Sequence, residues 1–330
     1  MVMRVQEQRQ LSPVSDEVLA LTAIVRPILR GVLYSLKKEI VDQVGGYENV
    51  NLMMLPRLRR EGDGDCGICF EYCVHEAMMR GDPRVLERIQ DATRLCNFDG
   101  QVPKSILFGV EKSGGQQLIG TAMEVLTNDS RVLSGVPGQP AKLRRYLNTL
   151  AAAFRRPSSR LALPYSINGL WKADLFVGYS DTDRWVGTSV KINPAHLEEA
   201  AGLRIGIIPV RQGATDRVRR HETKNLVICP LHHDADFMQA FYEGWRIVQA
   251  FLNADAQVPR EVALPRPVDR EVARILAERR GFPTLDVIEA IKAFGQPDLL
   301  HTDDTQADLY PLSGDAQTDM IVAPAPQNVD

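Results

Sequence analysis

Residues 172–193 read KADLFVGYSDTDRWVGTSVKIN. Two apolar, β-rich runs, KADLFVG and RWVGTSVKI, flank YSDTD, a turn-forming spacer, so the stretch reads as a β-hairpin. One aspartate, Asp174, heads the first run and one lysine, Lys191, ends the second. A charge buried there without a partner costs several kcal/mol even after relaxation. Either the two satisfy each other in a salt bridge or they belong to a site. Successive side chains on a strand alternate faces, so Ser189 and Lys191 share one face and Val190 takes the other. A hairpin partner that begins at Asp174 brings its carboxylate beside that face.

The flanking sequence places this hairpin in an α/β fold with a mixed central sheet. Pro194 opens a short helix, AHLEEAAG, with proline suited to a first turn. LRIGIIPV (203–210) and NLVICPL (225–231) are apolar without alternation, the pattern of strands covered on both faces. Upstream, the loop EGDGDCG (61–67) leads into ICFEYCVHEAMMRG, a helix closed by Gly81. KSILFGV (104–110) reads as a strand, followed by a helix around 117–127, and AKLRRYLNTLAAAFRR (141–156) as a further helix. Residues 14–44 form an amphipathic helical stretch capped by Ser15 and Asp16, and Pro27 within it implies a kink or two helices. Helices are also expected at 234–253 and, as a pair, at 269–295. The chain thus divides into an N-terminal helical segment (1–60), an α/β core (61–253) with a helical insertion at about 83–160, a C-terminal helical segment (254–295) and a tail (296–330).

The tail is acidic, with seven aspartates and no lysine or arginine, and has the composition of a disordered segment. The whole chain of 330 residues carries −3 and the tail −7, which leaves residues 1–295 at about +4. Basic clusters lie at RLRR (57–60), LRRY (143–146), RRPSSR (155–160) and RVRRH (217–221). This balance allows a nucleic-acid partner without demanding one. No apolar h-region opens the chain, and no apolar run approaches the roughly 18 residues of a bilayer span, so no membrane association is expected. The five cysteines are odd in number and three cluster at 66, 69 and 73, unlike a disulfide framework; a reducing cytoplasm is expected.

The spacing of Asp174, Ser189 and Lys191 resembles the PD-(D/E)XK nuclease superfamily, which includes many restriction endonucleases and Holliday-junction resolvases. There an aspartate heads one strand and an acidic-X-lysine triplet ends the next. The resemblance covers roughly 62–82 and 168–231. It implies a restriction-endonuclease-like core and a metal-dependent nuclease, with DNA as the expected substrate, RNA not excluded, and a homodimer allowed. A restriction or phage-defence role fits the class. Asp174 matches the metal-binding aspartate and Lys191 the lysine, while Ala173 stands where proline is common. Hydrolysing a phosphodiester requires neutralising a crowded anionic phosphorus and making hydroxide near neutral pH. Carboxylates that hold Mg²⁺ (or Mn²⁺) serve both needs, and a lysine stabilises developing charge.

The departure is Ser189, where the family has an acid. Related enzymes with a Ser-X-Lys triplet take the acid from elsewhere. Glu71, in the apolar stretch GICFEYCVHEAM, matches the glutamate that resolvase-like branches place on their first core helix. Glu198 and Glu199, on the helix after Lys191, are the other candidates. Ser189 then becomes a weak or indirect ligand, and Lys172 a contact to substrate phosphate. Two rival readings stand beside this one: a nuclease-fold binding or assembly subunit that has lost catalysis, and a zinc or iron–sulfur regulatory protein using Cys66, Cys69, Cys73 and Cys96. Cys69 and Cys73 lie one helical turn apart, which suits a buried apolar stripe better. CPLHHDADF (229–237) reads as a strand-end loop with solvated histidines. No phosphate-binding loop, dinucleotide fingerprint or nucleophile elbow is present.

Overall fold

The hairpin sits at the centre of a mixed eight-stranded sheet in a computed structural model. The structure describes residues 14–60, 66–108, 122–133, 140–164, 167, 173–197, 202–211, 213, 215–221, 223–233, 236–258 and 264–294. Its two arms are β4 (Leu175–Tyr179) and β5 (Arg184–Val190), paired antiparallel from Leu175↔Thr188 to Tyr179↔Arg184. The reversal passes through Asp183 at φ 52°, a left-handed conformation that aspartate tolerates because its short side chain bonds locally. Here that carboxylate accepts hydrogen bonds from the hydroxyls of Thr127 and Ser130.

β1 (Pro103–Leu107) pairs antiparallel with β4. On the other side, β6 (Arg204–Val210) runs parallel to the second half of β5, and β8 (Leu226–His232) runs parallel to β6. β7 (Arg219–Arg220) forms the far edge, antiparallel to β8. β2 (Arg131–Leu133) runs parallel to the first half of β5 and pairs with β3 (Ala141–Lys142).

Both faces of this sheet are buried, which is why its strands read as unbroken apolar runs. Leu175, Val177, Val186, Ile205, Ile207 and Val227 face a layer of helices. That layer contains α1 (Asp16–Ser35), α2 (Lys38–Gln43), α3 (Leu55–Leu58), α4 (Cys66–Arg80) and α5 (Pro83–Leu95). Ile106, Val132, Phe176 and Trp185 face the other way, against Leu147 and Leu150 of α6 (Leu147–Arg155) and Leu163. From the C-terminal part, α7 (Asp236–Asn253), α8 (Pro267–Glu278) and α9 (Thr284–Phe294) pack on α1.

Several expectations need correction. The 83–160 segment is not a helical insertion, because it supplies β1, β2 and β3. The 141–156 helix begins only at Leu147, after a strand pair and a 3-10 turn at Leu143–Tyr146. The short helix after Pro194 is a 3-10 turn over Pro194–His196, with 198–201 outside the described residues. Pro27 neither ends nor divides α1, which runs on to Ser35. Proline has no N–H to offer the carbonyl four residues earlier; that carbonyl, Ala23 O, instead accepts from Arg80 Nη1 at 3.2 Å. Ser15 is the residue that caps α1, accepting from Val18 N–H. By length and composition α1 is long and apolar enough to cross a membrane, although 72% of its most apolar window is buried inside the protein. The tail expected to be disordered lies outside the described residues.

α1 crosses α4 closely at Gly31. A Cβ there would stand 3.0 Å from the Cα and 3.2 Å from the N of Cys69. Alanine in a helix interior is worth about 1 kcal/mol over glycine, whereas overpacking a tight contact costs about 1–3 kcal/mol. Backbone atoms on α4 give way less readily than side-chain ends, so the clash wins. Gly31→Ala is expected to lower the urea midpoint of unfolding, by about 1 kcal/mol in stability; a raised midpoint would show that the two helices have room to part.

Candidate active site

Asp174 immediately precedes β4 and is held by backbone on both sides. Its N–H donates to Thr188 O on β5 at 2.9 Å, and its carbonyl accepts from Phe108 N–H, just beyond β1, at 2.8 Å. Its carboxylate then takes over the ladder where β4 ends: Oδ2 accepts from Val190 N–H at 2.9 Å. Lys191 is the first residue after β5, tied by its N–H to Ile207 O on β6 at 3.0 Å. These bonds bring side chain to side chain, and Lys191 Nζ lies 2.7 Å from Asp174 Oδ2.

The same ammonium lies 3.4 Å from Oε1 of Glu71, on α4. Glu71, Asp174 and Lys191 therefore meet at the end of the sheet where β4 begins and β5 ends. The side chain of Asp174 is 2% exposed, that of Glu71 10% and that of Lys191 30%, so the two acids are enclosed and the amine is reachable. Burial opposes the charged amine, but Asp174 and Glu71 together outweigh it and raise the lysine pKa above its ordinary value.

Glu71 is positioned by the rest of α4. One turn on, His75 Nδ1 meets the hydroxyl of Ser105 on β1 at 3.0 Å, tying the helix to the sheet. Glu76, also buried, bonds Arg26 of α1 at 2.6 Å and Arg30 at 3.1 Å. Burial raises Glu76, and the two guanidinium groups more than reverse it, leaving its carboxyl below the usual range. On the α1 side, the thiols of Cys69 and Cys73 point at the Ile28 and Ile24 carbonyls at 3.5 and 3.8 Å.

Ser189 stands opposite Gly206, and its hydroxyl accepts from Nη1 of Arg204 at 3.0 Å. Arg204 is 3% exposed, a permanent charge in the interior. Where the resemblance expects a second acid, the chain therefore has a hydroxyl engaged by a cation. Arg204 was missed in the sequence, although a lone arginine at the head of LRIGIIPV is the same signal that singled out Asp174 and Lys191.

Lys172, Glu198 and Glu199 lie outside the described residues. Among those described, no group of three or more His, Cys, Asp or Glu side chains is arranged to hold a metal ion. None of the five cysteines is in a disulfide; Cys69, Cys73, Cys96 and Cys229 are buried, and burial pushes the Cys73 thiol well up and those of Cys96 and Cys229 to about 12. His232 lies 3.6 Å from Asp216, and His233 stacks on Tyr242. Among the described residues, Glu71 and Asp174 are two carboxylates brought to one point, which the Lys191 ammonium shares. Magnesium is commonly held by one or two carboxylates plus waters and substrate phosphate, so these two acids are the residues that would hold such an ion. No family model, curated protein or solved structure matches this chain.

Removing one partner of a buried ion pair leaves the other charge stranded, which costs about 3–5 kcal/mol when the site is closed and less when it is part-exposed. Lys191→Met is expected to destabilise the protein by about 2–3 kcal/mol in urea melts, and Asp174→Asn in the same chain to restore most of that. A single-variant cost below about 1 kcal/mol, the level of a surface pair, would mean that the triad is not structural. The folded lysine pKa lies above the unfolded one, so this contribution is complete below the unfolded value and fades as pH rises through the folded one.

A second pH dependence belongs to His75. Burial, aided by Arg30 and Arg26 and opposed by Glu76, lowers its pKa from 6.5 to about 4. The unfolded chain therefore binds a proton that the folded one refuses, and stability falls as pH drops from 6.5 towards 4. At about 1.4 kcal/mol per unit the loss approaches roughly 3 kcal/mol, reduced by solvent screening because the residue is only part-buried. Chemical melts between pH 7 and 4.5 should show this slope, and His75→Gln should flatten it.

Proposed function

We propose that this chain is a metal-dependent nuclease hydrolysing phosphodiester bonds, with DNA as substrate and a restriction-endonuclease-like core. The observation that carries the reading is the Lys191 ammonium 2.7 Å from Asp174 and 3.4 Å from Glu71. Three charged residues from a helix, a strand start and a strand end meet in one place. A salt bridge between two neighbouring strands needs only two of them, and the third, brought from α4, is what a structural pair does not call for.

Asp174 and Glu71 would hold Mg²⁺ or Mn²⁺, which supplies an activated water near neutral pH and charge neutralisation at phosphorus. The protein's own part is positional. Asp174, fixed by Val190 N–H and by backbone bonds to two strands, keeps one oxygen engaged on Lys191. The ammonium, part-exposed and kept charged by the two acids, faces incoming phosphate and stabilises negative charge that grows on it. Arg204 holds Ser189 and adds positive potential behind it. A setting in restriction or phage defence follows from class alone.

The Ser189–Arg204 bond favours a second reading, a nuclease-fold binding subunit without catalysis, because an acid is replaced by a group that repels cations. Supercoiled plasmid incubated with Mg²⁺ or Mn²⁺ separates the two. The wild type should nick or linearise it, and Asp174→Asn, Glu71→Gln and Lys191→Ala should each lose about 100-fold or more in rate. Equal activity in all four preparations would expose a contaminant and overturn the assignment; no activity in any would favour the binding subunit.

A further inference from the structure

Between Asp129 and Asp174 the chain carries eight lysines and arginines and no acid. Its helix, α6, and the 3-10 turn before it cover the sheet face away from α4. Leu143, Leu147, Leu150 and Ala151 are buried in one core with Phe176 and Trp185. On the other side, Arg145, Asn148 and Arg156 are exposed, and Thr149 and Ala152 are half-buried. Arg145 and Arg156 are eleven residues apart, which is about three helical turns, so they leave the same side of the helix. Along its axis they stand roughly 17 Å apart. That is the length of about five nucleotides on one strand of a duplex.

Neither arginine forms an ion pair among the described residues, and Arg145 lies over the ring of Tyr146, 5.9 Å from its centroid. On three other helices an exposed cation has an acid one turn away: Lys38 with Asp42, Arg94 with Asp91, and Arg274 with Glu271 and Glu278. Solubility is served by that mixing of signs and does not call for an acid-free side. Of the neighbouring cations, Lys142 is matched by Asp129, and Arg144 is engaged by Leu126 O and Met123. The outer side of α6 thus presents two unneutralised guanidinium groups with short polar side chains between them, the donor types that phosphate oxygens take. An anionic membrane would ask for an apolar stripe beside the charges. Within the described part of this stretch, Leu161 is the one large apolar side chain that is exposed.

We infer that the outer side of α6, from Arg145 to Arg156, is a contact surface for the phosphodiester backbone of a nucleic acid. This rests on the proposed reading of the site for its ligand class alone, and it needs no open path from α6 to Lys191. Each phosphate neutralised releases counterions, so each arginine lost flattens the salt dependence by about one in log–log slope.

The test is fluorescence anisotropy of the full chain in EDTA, with labelled duplex DNA, single-stranded DNA and duplex RNA of about 20 nucleotides, at several salt concentrations. Vesicles containing phosphatidylserine serve as the competing anionic surface. Arg145→Ala/Arg156→Ala should weaken nucleic-acid binding about tenfold at low salt and reduce the slope by about two. Lys38→Ala/Arg94→Ala removes the same charge from other surfaces and should stay within about twofold of wild type. Arg145→Glu/Arg156→Glu should keep the wild-type thermal melt yet lose binding. An alanine variant no weaker than the Lys38/Arg94 control, no binding of any nucleic acid by wild type, or tighter binding to the vesicles would overturn the surface. Binding that depends on the two arginines without cleavage in Mg²⁺ leaves the surface standing and removes the catalytic reading. Cleavage with indifferent arginines does the reverse, and the probe bound most tightly identifies the backbone.

Discussion

The ammonium of Lys191 held between two enclosed carboxylates is the constraint around which the rest of the fold is arranged. A buried carboxylate without a cation costs several kcal/mol, so α4, β4 and β5 cannot shift independently without stranding a charge. The backbone reinforces the demand. Asp174 bonds through its main chain to β5 and to the end of β1, and through its side chain to Val190 N–H, so that it finishes the ladder as well as binding Lys191. A change at this residue disturbs sheet and site together.

Glu71 can meet this demand only if α4 is fixed in depth and rotation. Packing against α1 sets the depth, through Gly31 over Cys69 and the thiol contacts to the Ile24 and Ile28 carbonyls. Rotation is set by the ionic bonds of Glu76 to Arg26 and Arg30 and by the bond from Arg80 to Ala23 O. That last contact lets a long, apolar, proline-containing α1 continue unbroken. The apolar face of α1 is consumed by α4, α7 and α9, which explains why a helix of membrane-like composition is mostly interior.

The hairpin was legible because its runs, its turn residues and its two lone charges all act within 22 residues. The parallel strands β6 and β8 were legible from composition, since a strand covered on both faces has nowhere to put polar residues. Glu71 stood out as an acid in an apolar helix. What escaped depended on distant partners. Nothing local says that Ala23 O is capped from position 80, so Pro27 looked like a break. β1 was legible in KSILFGV, but β2 and β3 are only three and two residues long; β2 becomes a strand by pairing with the hairpin and β3 by pairing with β2. β7, two residues long, has no periodicity to read. Arg204 was visible by the rule that found Asp174 and was passed over because its partner, Ser189, carries no charge.

The exchange of an acid for Ser189 bonded to Arg204 changes the electrostatics of the proposed reaction more than its geometry. Among the described residues, the acids Glu71 and Asp174 stand beside the cations Lys191 and Arg204, which on the nuclease reading weakens the pull of the acids on a divalent ion. A phosphodiester brings one negative charge and the oxygens that magnesium favours. On the nuclease reading, ion and substrate then bind with positive coupling, each supplying charge that the other lacks. The part-exposed Lys191, backed by buried Arg204, would also favour the backbone before any metal arrives. On that reading the site would have little affinity for free metal and gain it with substrate in place, which would tie hydrolysis to a backbone already bound.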